Sequence, residues 1–309
     1  MSFLRLLPIL FALVLLTNPV EAAPKAKSPY VLVLGIAQDG GYPQAGCVKA
    51  CCQAVSKSRR RDVASLAIVD PQSGQQWLID ATPHFPQQLD ALRARTGKSA
   101  LDGILLTHAH IGHYAGLVHL GREVMGARQM PVYTMPRMTT FLTNNGPWNQ
   151  LVTLKNIKLH ALADGQPIQL NARIRVTPLV VPHRDEYSET VGFLVRGPSQ
   201  AVVWLPDIDK WERWETAIET IIAKVDRAYL DGTFYDNLEL PGRDMSQIPH
   251  PFIVESMRRF AKLPKAERKK VHFVHLNHTN PALQPNSSAQ QAIDGQGYGV
   301  AQQGEIFGL

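Results

Sequence analysis

What most constrains this chain is where its apolar runs stop: again and again they end on a histidine or an aspartate. "WLID" closes on Asp80, "GILLTHAH" runs into His108 and His110, "TPLVVPH" into His183, "VVWLPD" into Asp207 and "VHLNH" into His278. Short apolar runs bounded by Gly, Pro and polar clusters read as buried strands. Polar residues at the carboxyl ends of several strands can converge on one edge of a sheet assembly, where a rigid scaffold presents loop-borne chemistry. The pattern therefore predicts a sheet-based scaffold with its reactive residues gathered at one edge.

Further strands are expected at "YVLVLGI", "SLAIVD", "PVYT", "TVGFLVRG" and "RAYLD", and two short ones around Gln303-Gly304 in "YGVAQQGEIFGL". Amphipathic segments lie between them, among them "FPQQLDALRARTG", "YAGLVHLGREVMG", "WERWETAIETIIAKV" and "PFIVESMRRFAKL". Strands this numerous, interleaved with helices, need both faces of their sheets covered, which predicts a layered α/β architecture. With 309 residues, 45% of them hydrophobic, the chain can bury one continuous core.

The opening "MSFLRLLPILFALVLLTNPVEA" has one early Arg5, a leucine-rich run, and Val20 and Ala22 at the small-residue positions before a signal-peptidase cut. Residues 1–22 are read as a signal peptide and 23–309 as the working domain. The apolar run is short for a bilayer span, and no cysteine follows it to take a lipid. The mature chain is expected to be free of a stable membrane anchor, and secreted or periplasmic.

The formal net charge of +6 is local, concentrated in "RRFAKLPKAERKK" and "SKSRRRD". Such runs are most often solvated faces, and no aromatic interleaving suggests base stacking, so nucleic acid is not expected as a partner and a small-molecule substrate is. Cys47, Cys51 and Cys52 in "GCVKACC" admit two readings of equal weight. One is a disulfide with a thiol left over; the other is a structural zinc held by three thiolates and a fourth ligand.

The densest signal is "THAHIGH". His108 and His110 project to the same side of an extended loop, and His113 follows as the chain turns into a helix. Neutral imidazole is a donor for zinc or iron, and closely spaced ligands on one loop lower the entropy cost of assembling a site. His183 and His278 are the distant ligand candidates, and the Asp207 carboxylate can bridge two ions. His84, His119, His160, His250, His272 and His275 are read as ordinary surface or core histidines. Asp231 in "LDGTF" reads equally well as a turn at a strand end. Arg184, Asp185 and Glu186 are read as a charged group at a loop, pairing in solvent or lining a substrate mouth.

This series resembles the metallo-β-lactamase superfamily, whose hallmark is His-x-His-x-Asp-His followed by a distant His, Asp and His. "AQDGGYPQAGC", "VPHRDEYSETVGF", "LDGTF", "HLNHTNP" and "YGVAQQGEIFGL" are similar to its PqqB-like branch. The resemblance spans nearly all of the chain after residue 22. It implies a four-layer αββα sandwich in which His108, His110 and His183 hold a first metal. His113 and His278 would hold a second, with Asp207 between the two and Asp80 orienting a ligand from behind. The departure is Gly112, which stands where the family places an aspartate. That implies a mononuclear site, or a dinuclear one with an open second position, and Asp185, Asp39 or Asp209 are the candidates to replace the carboxylate. The reaction implied is metal-dependent hydrolysis of an ester-like or phosphodiester-like substrate by an activated water, with Asp207 catalytic. Zinc, one ion or two, is the default, and iron or manganese also suit the donors. The alternatives are a PqqB-like iron-dependent oxygenase and a non-catalytic metal-binding periplasmic protein.

Overall fold

The computed structural model describes residues 28–53 and 55–309. The signal-peptide reading and the start of the domain at residue 23 lie outside the described residues. Two seven-stranded sheets pack face to face. The first runs in the order β14 (Ile306–Gly308), β1 (Tyr30–Gly35), β2 (Ser65–Asp70), β3 (Gln75–Ile79), β4 (Gly103–Leu105), β5 (Met130–Thr134) and β6 (Ile157–Ala161). The second runs β13 (Gly299–Val300), β12 (Val271–Val274), β11 (Arg227–Asp231), β10 (Ala201–Leu205), β9 (Thr190–Arg196), β8 (Arg175–Val181) and β7 (Ile168–Gln169).

Each sheet changes character midway. β14, β1, β2 and β3 pair antiparallel, then β3 to β6 pair parallel. In the second sheet β7 to β10 are antiparallel and β10 to β13 parallel. Parallel strands need crossovers, and here these place helices on the outer faces, including Phe85–Thr96, Pro136–Asn144, Ile253–Phe260 and Ser288–Gly295. The result is the four-layer αββα sandwich expected from the sequence.

Alternation along the strands sorts the side chains into two cores. In β1, Val31 and Val33 face the second sheet with Trp77, Phe193 and Trp204. Leu32 and Leu34 face outward beneath Phe85, Leu92 and Leu117. The "FPQQLDALRARTG" helix forms as expected, stopped by Gly97 at φ 73, a left-handed conformation that glycine adopts without a Cβ clash. "YAGLVHLGREVMG" gives a shorter helix, Ile111–Tyr114, continued as a 3-10 turn over Ala115–Leu120. "WERWETAIETIIAKV" keeps only Ile218–Ile222 as α-helix, preceded by a 3-10 turn at Trp211–Arg213. The two terminal strands form but part company: β13 joins β12, and β14 crosses to the edge of β1.

Candidate metal centre

The carboxyl ends of β3, β4, β8, β10, β11 and β12 meet at one rim between the sheets. His108, His110, His183 and Asp207 form one set whose ligand atoms all lie within 4.8 Å of one another. His108 Nε2 is 2.9 Å from His110 Nδ1, which is 3.3 Å from His183 Nε2. The Asp207 oxygens lie 3.3 Å from both His108 Nε2 and His183 Nε2. Ligand atoms about 2.0 Å from one tetrahedral ion stand about 3.3 Å apart, so this spacing suits a single cation.

A second set lies beside it: Asp39, His113 and His275. Asp39 Oδ1 is 3.5 Å from His113 Nε2 and 3.9 Å from His275 Nε2. Asp207 Oδ2 faces both sets, 3.8 Å from His113 Nε2 and 3.9 Å from His275 Nε2. Asp39 Oδ1, His113 Nε2, Asp207 Oδ1 and His275 Nε2 are buried without a hydrogen-bond partner. Leaving such atoms unpaired costs roughly 1–3 kcal/mol each, more when charged, and all four belong to these ligand sets, so the donors fit bound cations.

Each imidazole is aimed by its other nitrogen, as metal ligands require. His113 Nδ1 donates to Asp80 at 2.7 Å, and His183 Nδ1 to Asp209 at 3.2 Å. His110 Nε2 pairs with Glu186 at 2.9 Å. His108 Nδ1 meets the Thr107 hydroxyl at 3.0 Å, which lies 3.0 Å from the Asp80 carboxylate. The second sheet repeats the device: His275 Nδ1 meets the Thr233 hydroxyl at 3.0 Å, and that hydroxyl donates to Asp231 at 2.8 Å. Asp80 and His275 both carry positive φ, 70° and 65°, at the ends of their strands. Non-glycine residues take this conformation at a cost, here offset by the contacts of the centre.

Asp231 also accepts from His250 Nδ1 at 2.8 Å, with Asp207 Oδ1 3.2 Å from the same nitrogen. Burial opposes charge on these groups, yet the His183, His275 and His250 imidazoles hold Asp207 well below the usual carboxylate range. Against the same burial, Asp207 and Asp209 raise His183 to about 10, and Asp231 and Asp207 raise His250. Burial and the neighbouring His113 hold His108 low, so within the first ligand set it is His183 whose proton a bound ion must displace.

His278, expected at the second position, stands elsewhere. The positive φ of His275 turns the chain, Leu276 N–H bonds back to Ile36 O at 2.8 Å, and His278 emerges beyond the rim. There it gathers with Cys47, Cys51 and Cys52 in a compact four-ligand group. Cys51 and Cys52 Sγ are 4.0 Å apart and all three cysteines are free. Of the two readings of the cysteines, this geometry is that of three thiols and an imidazole around one ion. His278 Nδ1 meets Asn277 Oδ1 at 2.9 Å, Asn277 donates to the Thr279 hydroxyl, and that hydroxyl donates to Glu239. Of the carboxylates weighed against Gly112, Asp39 enters a ligand set; Asp185 instead accepts from Thr190, and Asp209 backs His183. His250 and His275, read from sequence as ordinary, both line the centre. Nothing flags His250 but its place before Pro251, as His183 follows Pro182; His275 is masked by its strand.

The model of the β-lactamase superfamily domain matches residues 75–275. The chain belongs to the metallo-β-lactamase superfamily. Within the superfamily it is similar to PqqB proteins. It is 25% identical over 308 residues to coenzyme PQQ synthesis protein B of Methylorubrum extorquens strain PA1, covering 91% of this chain and 100% of that one. The Zn(2+)-bound PqqB structure from Methylobacterium extorquens superposes with TM-score 0.74 at 22% identity, covering 91% of this chain and 100% of that one. A diphosphatase of the PhnP family gives TM-score 0.65 at 22% identity, covering 91% and 97%. At these identities the two structures establish the superfamily fold; the chemistry rests on this chain's own residues.

Proposed function

We propose that this superfamily member is a metal-dependent hydrolase acting on a small phosphodiester-like or ester-like substrate. The observation that carries the reading is the position of Asp207, facing two ligand sets on one side and the Asp231–His250 pair on the other. Divalent ions held by these residues would polarise a substrate oxygen and lower the pKa of water. The chain supplies the rest. Asp207, ionised throughout the neutral range, orients the attacking water. His250, fixed through Nδ1 by Asp231 and raised in pKa by that carboxylate, presents Nε2 as the proton donor to the leaving oxygen. Arg184 stands half exposed at the mouth with Nη1 3.5 Å from Glu186, and an anionic phosphodiester, unlike a neutral ester, would compete with that carboxylate for it. A non-catalytic reading would need the carboxylate lost at Gly112 to go unreplaced, and Asp39 occupies its space.

The test is turnover of bis(4-nitrophenyl) phosphate and 4-nitrophenyl acetate by ion-loaded protein beside His108→Ala. Ion-dependent turnover, faster on the phosphodiester and lost in His108→Ala, is expected. No hydrolysis across a panel of both classes with ions bound would overturn the reading, and dioxygen consumption with iron alone would transfer it to oxygen chemistry. The signal-like N-terminus supports an extracytoplasmic, secreted or periplasmic setting, tested by N-terminal sequencing of the mature protein for a cut after Ala22.

A further inference from the structure

An ideal Cβ at Gly112 would lie 2.1 Å from Asp39 Oδ1 and 2.7 Å from Asp39 Cα. No side chain can stand there while Asp39 keeps its place, so the carboxylate missing from the histidine loop has been moved to the loop after β1. That relocation changes what holds the second ion position. The loop carrying Asp39 also carries Cys47, Cys51 and Cys52, and the segment carrying His275 also carries His278. Both segments are stitched together at one end by backbone bonds, Leu276 N–H to Ile36 O at 2.8 Å and Gln38 N–H to Leu276 O at 2.9 Å. At the other end they meet where the thiols face His278 and where Gln284 Nε2 donates to the Tyr42 hydroxyl. Between these ends the Asp39 loop has an antiparallel bridge of Tyr42 to Arg61 and one short helix at Ala50–Gln53, which the Tyr42 hydroxyl steadies by donating to Cys51 O at 2.9 Å. The first ion position draws no ligand from either segment.

We infer that Asp39 is the relocated carboxylate ligand of the second position, and that an ion at that position depends on the Cys47, Cys51, Cys52 and His278 group being closed by its own ion. The inference rests on the metal-centre reading above. With the cysteine group open, the Asp39 loop keeps its Tyr42 anchor on Arg61 and Gln284 but loses the fastening beyond it, and the Asp39 carboxylate is released from the second position; the first position keeps all four donors.

The experiment is metal content per chain by elemental analysis after cobalt loading, with thiolate-to-cobalt absorption marking the cysteine group and circular dichroism confirming the fold. Asp39→Asn should hold one ion fewer than wild type with the thiolate bands intact. Gly112→Ala, which removes no ligand and adds one methyl against Asp39, should lose the same ion. Cys47→Ser should lose two: its own and the second-position ion. Folded Asp39→Asn and Gly112→Ala proteins that keep the full complement would overturn the ligand assignment, and Cys47→Ser losing one ion alone would overturn the dependence; in both cases the hydrolase reading survives. A wild type that binds no cobalt would overturn the inference and the metal-centre reading together.

Discussion

The two sheets furnish the centre in opposite styles. The first sheet delivers His108, His110 and His113 from one loop and backs them with Asp80 from the neighbouring strand end. The second spreads its contribution over four segments, with His183 after β8, Asp207 after β10, Asp231 at the end of β11 with His250 on the loop beyond it, and His275 after β12. Yet the buried support is the same in both, a strand-end aspartate, a threonine hydroxyl and a histidine: Asp80, Thr107 and His108 in one, Asp231, Thr233 and His275 in the other. The lesson is that orientation of the imidazoles is duplicated across the interface, whereas proton delivery is not. Asp80 holds a second histidine that is a ligand, His113, whereas the second histidine on Asp231 is His250.

The comparison can be broken at its hinge. Asp207→Ala removes the one residue common to both halves, and is expected to lower metal content at both positions and turnover by roughly 10³-fold or more, read by elemental analysis and steady-state assay. Next comes the asymmetry. His250→Ala should leave metal content unchanged while slowing substrates with alkoxide leaving groups by about 10²-fold, and much less with 4-nitrophenolate, which leaves without a proton. Equal losses on both substrates would remove His250 as the donor. The duplicated supports are compared through Asp80→Asn and Asp231→Asn. Each should weaken ion affinity by roughly 10- to 100-fold, but only Asp231→Asn should also acquire the leaving-group dependence of His250→Ala.

The smallest effect lies behind the cysteine group. Burial raises Glu239 from the ordinary glutamate value of 4.5 to about 7, against the lowering effect of its Thr279 and Tyr235 partners. A carboxylate raised in the folded state binds more protons there than when unfolded, so its contribution declines as pH rises from about 4.5 through about 7. Glu239→Gln should flatten stability across that window in urea titrations; an unchanged slope would show that Glu239 is not its source.

The same contrast between halves explains what could be read in advance. The layered fold follows from apolar runs such as "YVLVLG" and "AVVWL", fully buried strands whose meaning hardly depends on context. The first-sheet loop is legible because its ligands are local, so spacing alone places them on one side. His275 is hidden by alternation: it falls in "VHFVHL", where a histidine between apolar neighbours looks like packing, and only the positive φ at the strand end turns it inward. His278 draws attention instead, because "NHTNP" looks like a loop motif, and it lies with the cysteines. Asp39 is one of three replacement candidates from sequence and not singled out there, since its role depends on Gly112 clearing space across the fold. β6 and β7 also escape notice, being an edge strand of mixed burial and a two-residue strand.

The pairing of Asp39 with His275 also sets a schedule. One is among the first site residues to leave the ribosome and the other is the last ligand of the centre to be made. Contacts so distant in sequence form late in folding. The first position has its full set of donors once Asp207 has emerged, while the second must wait for β12 to dock beside β11. Occupancy of the second position is therefore a report on completion: its set of donors closes only when His275, just past the end of β12, is in place.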